Sequence, residues 1–318
     1  MNGSSTSGSS HNYDDEIDLR ELFGVIWYGK LKIVLVTTIF TLLSIFYTLS
    51  LPNVYRSEAL LAPAQEQDSL AGSMQSLSGL ASFAGIRLSD GSASQSDRAL
   101  KALSSRSFFT EKIYPSIHLP DLLADPRWDP ETNILSYDDD LYDAERGQWV
   151  RELGSLSQGA PSAQEAHGFF IGNVLNVFRD DANGFVTISV DHVSPYIARD
   201  WAELIILEIN EQFRARDHET AMSSIAYLNN QIAITSVVEI RQALSQLLQN
   251  QIQTSMLTDA NPDYVFSVID PPIIPELKNS PRRSLIVILA TLLGGILSVL
   301  IVLLSHYVSN NKREVEVV

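Results

Sequence analysis

Apolar positions are spread unevenly along this chain. From Ile33 to Leu51 (IVLVTTIFTLLSIFYTLSL) nineteen residues pass without a charge, and from Leu285 to Val308 (LIVILATLLGGILSVLIVLLSHYV) only His306 among twenty-four residues can ionise. About twenty apolar residues cross a bilayer core as a helix, so the pattern predicts two transmembrane helices, 33–51 and 285–308. A buried core helix seldom sustains runs of this length. A cleaved signal peptide fits poorly too, because the first run is long, starts late and has no small-residue cleavage site after Leu51.

The pattern differs in the segments around and between these runs. Residues 1–13 are rich in Ser, Gly and Asn and are expected to be disordered. Residues 14–32 read as a juxtamembrane amphipathic helix lying along the bilayer, with Ile17, Leu19, Leu22, Phe23, Ile26 and Trp27 as anchors. In the loop 52–284, Val54 to Leu61 reads as a strand, 69–96 as a small-residue loop and 98–112 as a helix. Val174–Arg179 and Phe185–Asp191 alternate around DDANG, which predicts a hairpin. Ser194-Pro195 then offers an N-cap and a first-turn proline.

No glycine or further proline follows until beyond Met256, so the pattern predicts one long helix over about 195–256, reaching about 90 Å. Ala221, Ile225, Leu228 and Ile232 form one stripe on it, and Val237, Ile240, Leu244 and Leu247 a second. The five-residue step between the stripes points to a bend or a change of partner. Tyr264 to Ile269 reads as a last strand, followed by DPPIIPELKNSPRR (270–283), whose prolines predict a stiff, extended strut.

Charge orients this arrangement. Arg20, Lys30 and Lys32 flank the first run, and Lys312 and Arg313 follow the second, which predicts cytoplasmic termini with 309–318 as a cytoplasmic tail. Arg282 and Arg283 lie on the opposite side, but long loops translocate largely regardless of charge. Residues 52–284 are therefore expected in the periplasm of a bacterium. The chain of 318 residues carries a net charge of −16, which argues against nucleic acid as a partner. It has no cysteine, which excludes disulfides, thiolate metal sites and cysteine nucleophiles.

Candidate chemistry is sparse. No phosphate-binding loop, dinucleotide fingerprint, zinc-protease motif or serine-hydrolase elbow occurs, and the six histidines lack metal-ligand spacing. The segment from Asp121 to Glu152 holds ten acidic and three basic residues, and its run Asp138–Asp140 with Asp143 and Glu145 lacks the EF-hand pattern and reads as a solvated face. The sequence thus predicts no catalytic residue, no cofactor and no metal. What stands out instead is helix-packing chemistry. Ala290, Gly294 and Ser298 recur every four residues on one helix face, with Gly295 widening the groove, while Thr37, Thr41, Ser44 and Thr48 form a polar stripe on the first run.

These parts together resemble the chain-length determinant family, the Wzz-like polysaccharide co-polymerases. The resemblance is carried by DEIDLRELFGVIWYGK, by PNVYRSEALLAP, by SIAYLNNQIAIT and above all by Pro272, Pro275, Ser280, Pro281, Arg282 and Arg283 before the second run, although Lys278 stands where the family usually has another proline. It implies an α+β fold in which two transmembrane helices flank a periplasmic domain, with an α/β membrane-proximal base and a long protruding helix. It further implies a homo-oligomer in the bacterial inner membrane that sets the modal length of a surface polysaccharide such as O-antigen, without being an enzyme. The implied partners are an inner-membrane polysaccharide polymerase and its lipid-linked glycan. Some relatives add a tyrosine autokinase, for which the tail after Val308 is too short. The alternative weighed against this reading is a periplasmic adaptor of an envelope export system, which usually has one span and paired lipoyl-like segments. A two-span sensor would need a cytoplasmic signalling region.

Overall fold

The computed structural model describes residues 19–64, 94–151 and 159–315, without side chains for 19–23 and 306–315. The expectations for 1–13 and for most of the small-residue loop lie outside the described residues. The chain divides into two compact units, residues 1–52 with 281–318, and residues 53–280.

The first unit is helical. Helices α1 (Leu19–Tyr28) and α2 (Lys30–Ser50) are separated by Gly29 alone. Gly29 keeps a helical conformation, donates to the Val25 carbonyl at 2.9 Å and accepts from Ile33 at 3.0 Å. Helical hydrogen bonding therefore runs from α1 into α2, so the juxtamembrane segment prolongs the apolar helix instead of turning away from it. Lys30–Ser50 and Arg283–Ser305 are long and apolar enough to cross a membrane, with mean hydropathies of 2.1 and 2.9. The second helix, α7 when numbered in chain order, spans Arg283–Val315 and so passes the expected end at Val308. Nothing in SNNKREV breaks a helix.

The second unit is built on a four-stranded antiparallel sheet of order β6-β7-β1-β8. Its strands are β1 (Tyr55–Pro63), β6 (Leu175–Arg179), β7 (Val186–His192) and β8 (Phe266–Asp270). They fall where alternating patterns predict them, because a strand with one covered face buries every second side chain. Between β1 and β6 lie α3 (Gln95–Leu103), two small hairpins β2 (Arg127–Asp129) with β3 (Ile134–Ser136) and β4 (Tyr142–Asp143) with β5 (Gln148–Trp149), and α4 (Ala163–Phe169). The acidic segment thus has local structure of its own. The core joins Leu61, Ile188 and Val190 of the sheet to Ile205 and Ile209 of the following helix and to Phe109 and Phe170. Those two rings lie 5.1 Å apart, each opening a π turn at the end of a short helix.

The single long helix is corrected to a helical hairpin. Helix α5 spans Pro195–Ile234, α6 spans Val238–Ala260, and Thr235 to Val237 are not helical. His218 Nδ1 lies 3.0 Å from Thr258 Oγ1 while Ser255 Oγ reaches the Met222 sulfur at 3.7 Å, so residue numbers rise on one helix as they fall on the other. The reversal uses neither glycine nor proline. Thr235 and Val237 are β-branched, which weakens the helix. Thr235 Oγ1 donates back to the Gln231 carbonyl at 2.6 Å, and Arg241 donates to the Thr235 carbonyl at 2.6 Å. At 1.5 Å per residue α5 alone is about 60 Å long, not 90 Å.

Candidate functional site

Within the first unit, α2 and α7 pack antiparallel. Thr37 Oγ1 lies 3.4 Å from Ser298 Oγ, and Thr41 Oγ1 lies 3.0 Å from Thr291 Oγ1. Arg283 donates to the Leu51 carbonyl at 3.2 Å at one end of the pair. At the other, a Cβ placed on Gly29 would press against Val302 Cγ1. Gly294 sits between, where an added Cβ would lie 2.7 Å from Phe40 Cβ. Apolar helices in lipid gain little from the hydrophobic effect and associate through close backbone approach and shared hydroxyls, which is what these residues supply. Ser298, Ser44 and Thr48 are buried, and Ala290 is half-buried.

The small-residue face with Gly294 is therefore filled by the chain's own first apolar helix, and is not a free surface for another protein. Gly295, adjacent in sequence, has no atom near its missing Cβ. It opens on a groove along α7 with Ile288, Leu292 and Val299. Sequence reasoning missed Thr291 and Phe40, the two partners that settle which face is used. Thr291 stands one residue off the four-residue stripe, and a phenylalanine is not a small-residue signal.

The strut is laced to the second unit. Ser57 Oγ donates to the Ile273 carbonyl at 2.7 Å, and Val54 and Ser280 exchange bonds at 2.9 and 3.2 Å. Lys278 Nζ reaches Asn53 Oδ1 at 3.3 Å, so the residue that departs from the family's proline acts as a polar tie. Pro272 lines a groove against α5, and Pro275 is half-buried. Pro281 and Arg282 lead into α7, which Arg283 begins; the Leu285 amide donates to the Arg282 carbonyl at 3.0 Å. Because Val54 and Ser280 pair, the chain enters and leaves this unit side by side.

The helical hairpin sorts its apolar residues into two faces. Ala221 and Leu228 are buried, and the less exposed residues of α6 are Leu244, Leu248, Asn250, Gln251, Thr254, Ser255, Leu257 and Thr258, which recur every three to four residues as singles or close pairs. That spacing places them in one seam against α5. The second predicted stripe is split: Leu244 joins the seam, while Val237, Ile240 and Leu247 stay outside, Ile240 at 52% and Leu247 at 47% exposure.

Several polar residues that no motif signals hold this unit together. Asn210, buried on α5, accepts from the Val265 and Phe266 amides at 2.8 and 2.9 Å and donates to the Phe266 carbonyl at 3.0 Å. The His192 ring is buried beside Trp201, accepts the Ser194 amide at Nδ1 (3.0 Å) and faces the Asp121 carbonyl through Nε2 at 2.9 Å. Desolvation holds its pKa below the ordinary histidine range. Arg56 grips Asp191 with two bonds of 2.7 and 2.6 Å across β1 and β7. In the acidic segment, Asp138, Asp143 and Asp129 accept amides two or three residues on, so these carboxylates shape turns. Among the described residues no cluster has the makings of a metal site.

Residues 15–113 match the family model described as Wzz, chain length determinant protein. The match covers α1, α2, β1 and α3 and agrees with the resemblance seen in the residues. Two solved structures are similar at low levels. One is a full-length bacterial polysaccharide co-polymerase, 12% identical, with a TM-score of 0.39 over 92% of this chain and 99% of the other. The second is a fragment of WzzB, a polysaccharide co-polymerase from Salmonella Typhimurium, 12% identical, with a TM-score of 0.27 over 72% of this chain and 100% of the other. No curated protein matches the chain.

Proposed function

We propose that this protein is a non-enzymatic regulator of polysaccharide chain length in a bacterial inner membrane, acting beside an integral membrane polymerase on lipid-linked repeats. The observation that carries this reading is the family match over residues 15–113. Two apolar helices that flank residues 53–280 in the sequence and pack antiparallel against each other agree with it. Both termini face the cytoplasm, as the basic residues flanking the helices favour, and the sheet domain with its helical hairpin faces the periplasm. Length control then arises from binding and geometry, because the protein brings an organised surface to a reaction that another protein performs. The test is a deletion strain examined by gel electrophoresis of its surface polysaccharide. A ladder whose modal length disappears on deletion and returns with the plasmid-borne gene is expected, and a ladder unchanged by deletion overturns the reading.

A further inference from the structure

Residues 52–284 contain 31 acidic and 17 basic side chains. In so acidic a surrounding a surface cation readily finds a carboxylate, and eight described basic side chains of the second unit do. Arg98, Lys101, Arg106, Arg216, Arg241 and Lys278 make no ion pair with a described carboxylate. Arg241 and Lys278 are held by the Thr235 carbonyl and by Asn53. Of the other four, Arg98, Lys101 and Arg216 line a single cleft of about 1100 Å³ between α3, β6 and α5.

The two carboxylates in that cleft are already engaged. Asp97 takes Arg179 and caps the Ser94 end of α3. Asp217 accepts from the Tyr264 hydroxyl at 2.9 Å and from Gln95 at 3.0 Å. Arg179 has its Nε buried without a partner, although its other end holds Asp97. Below the rim the cleft is lined by buried Phe213 and half-buried Val177. The cleft holds the cations Arg98, Lys101, Arg179 and Arg216 against the carboxylates Asp97 and Asp217, and this excess of cations over an apolar floor suits a ligand that has a negative group and an apolar sugar face.

We propose that this cleft binds an anionic saccharide, whose carboxylate or phosphate lies among Arg98, Lys101 and Arg216 while its ring covers Phe213 and Val177. The inference rests on the reading of the protein as a polysaccharide regulator, which supplies saccharide as the ligand class. Two sources share this chemistry: an acidic sugar within the polymer, and the phosphate linkage of its carrier lipid. The arms of the test distinguish the two.

The test is titration of the full-length protein, in nanodiscs of zwitterionic lipid, with a galacturonic-acid oligosaccharide, a neutral glucose oligosaccharide of equal length and inorganic pyrophosphate. The acidic oligosaccharide is expected to bind with an affinity that falls as salt rises, and more tightly than the other two. The variant Arg98→Gln/Lys101→Gln/Arg216→Gln should weaken it by about tenfold for each cation removed, at an unchanged thermal midpoint because all three side chains are exposed. If the triple variant fails to fold, Arg216→Gln alone should show the single-site loss. Equal binding of the neutral probe, tighter binding of pyrophosphate, or unchanged affinity of the variant overturns the proposal. So does a variant whose oligomeric mass changes while saccharide affinity holds, which would make the cleft a contact between copies. The two failures are distinguishable: a silent titration removes the cleft and leaves the length-regulator reading intact, whereas an unchanged ladder removes that reading, and the cleft then stands only on the titration itself.

Discussion

Gly294 and Gly295 are neighbours with opposite surroundings. A methyl group on Gly294 would press on Phe40 Cβ, an atom close to the backbone that cannot swing aside, whereas one on Gly295 enters open space. Gly294→Ala should therefore destabilise the pair of apolar helices by about 1–3 kcal/mol, and Gly295→Ala should leave it unchanged. Thermal unfolding in detergent separates the two variants, and equal midpoints would show that Phe40 does not press on Gly294 as described. His192 provides a second residue-level prediction. With Nδ1 accepting the Ser194 amide, the buried ring is neutral and its Nε2 donates to Asp121. Because burial lowers the folded pKa beneath the unfolded value of about 6.5, the unfolded chain takes up the proton first. This contribution to stability is complete above about pH 6.5 and is lost as pH falls towards the folded value. Thermal midpoints measured downward from about pH 8 should drop in the native protein. His192→Gln, less stable throughout, should drop by less over the same interval.

Among the elements, β8 depends most on a side chain that belongs to another. Asn210 of α5 supplies three hydrogen bonds to the start of β8, and all the groups involved are buried. Asn210→Ala leaves two amides and a carbonyl without partners, so a loss of about 3 kcal/mol or more is expected in thermal or denaturant unfolding, against almost none for the exposed Asn261→Ala. A small loss would mean that water replaces the amide. The sequence discloses the strand itself, as YVFSVI, but not Asn210, because a lone asparagine inside a helical pattern reads as a solvent-facing residue. The same difference runs through the fold. Elements written in periodicity, namely the two apolar helices, β1, the β6–β7 hairpin and the start of α5, lie where the pattern places them. The reversal at Thr235–Val237 does not, since β-branching and a guanidinium cap stop the helix without the usual punctuation. In the helix pair, the small and hydroxyl residues were legible, while their partner depended on Phe40 and Thr291, whose roles appear only when α2 and α7 meet.

At the scale of the whole molecule, the outer face of the helical hairpin is the surface that a monomer leaves least explained. From Val238 to Thr258 only Glu239 and Arg241 carry charge, and Val238, Ile240 and Leu247 stand exposed outside the seam with α5. A hairpin bathed in water on that face would carry more charged side chains. Covering each of these half-exposed aliphatic side chains contributes about 1–2 kcal/mol, so several such positions help to hold copies of the hairpin together once other contacts align them. The protein is accordingly expected to be a homo-oligomer assembled through the domain of residues 53–280. Light scattering of the full chain in detergent at micromolar concentration should give a mass well above that of one chain and its micelle. Ile240→Lys combined with Leu247→Lys should reduce that mass while the monomer keeps its fold by circular dichroism, because both side chains lie outside the buried seam. A native protein that stays monomeric removes the oligomer. An oligomer that tolerates both lysines moves the contact away from this face, to the sheet edges or to the groove beside Gly295.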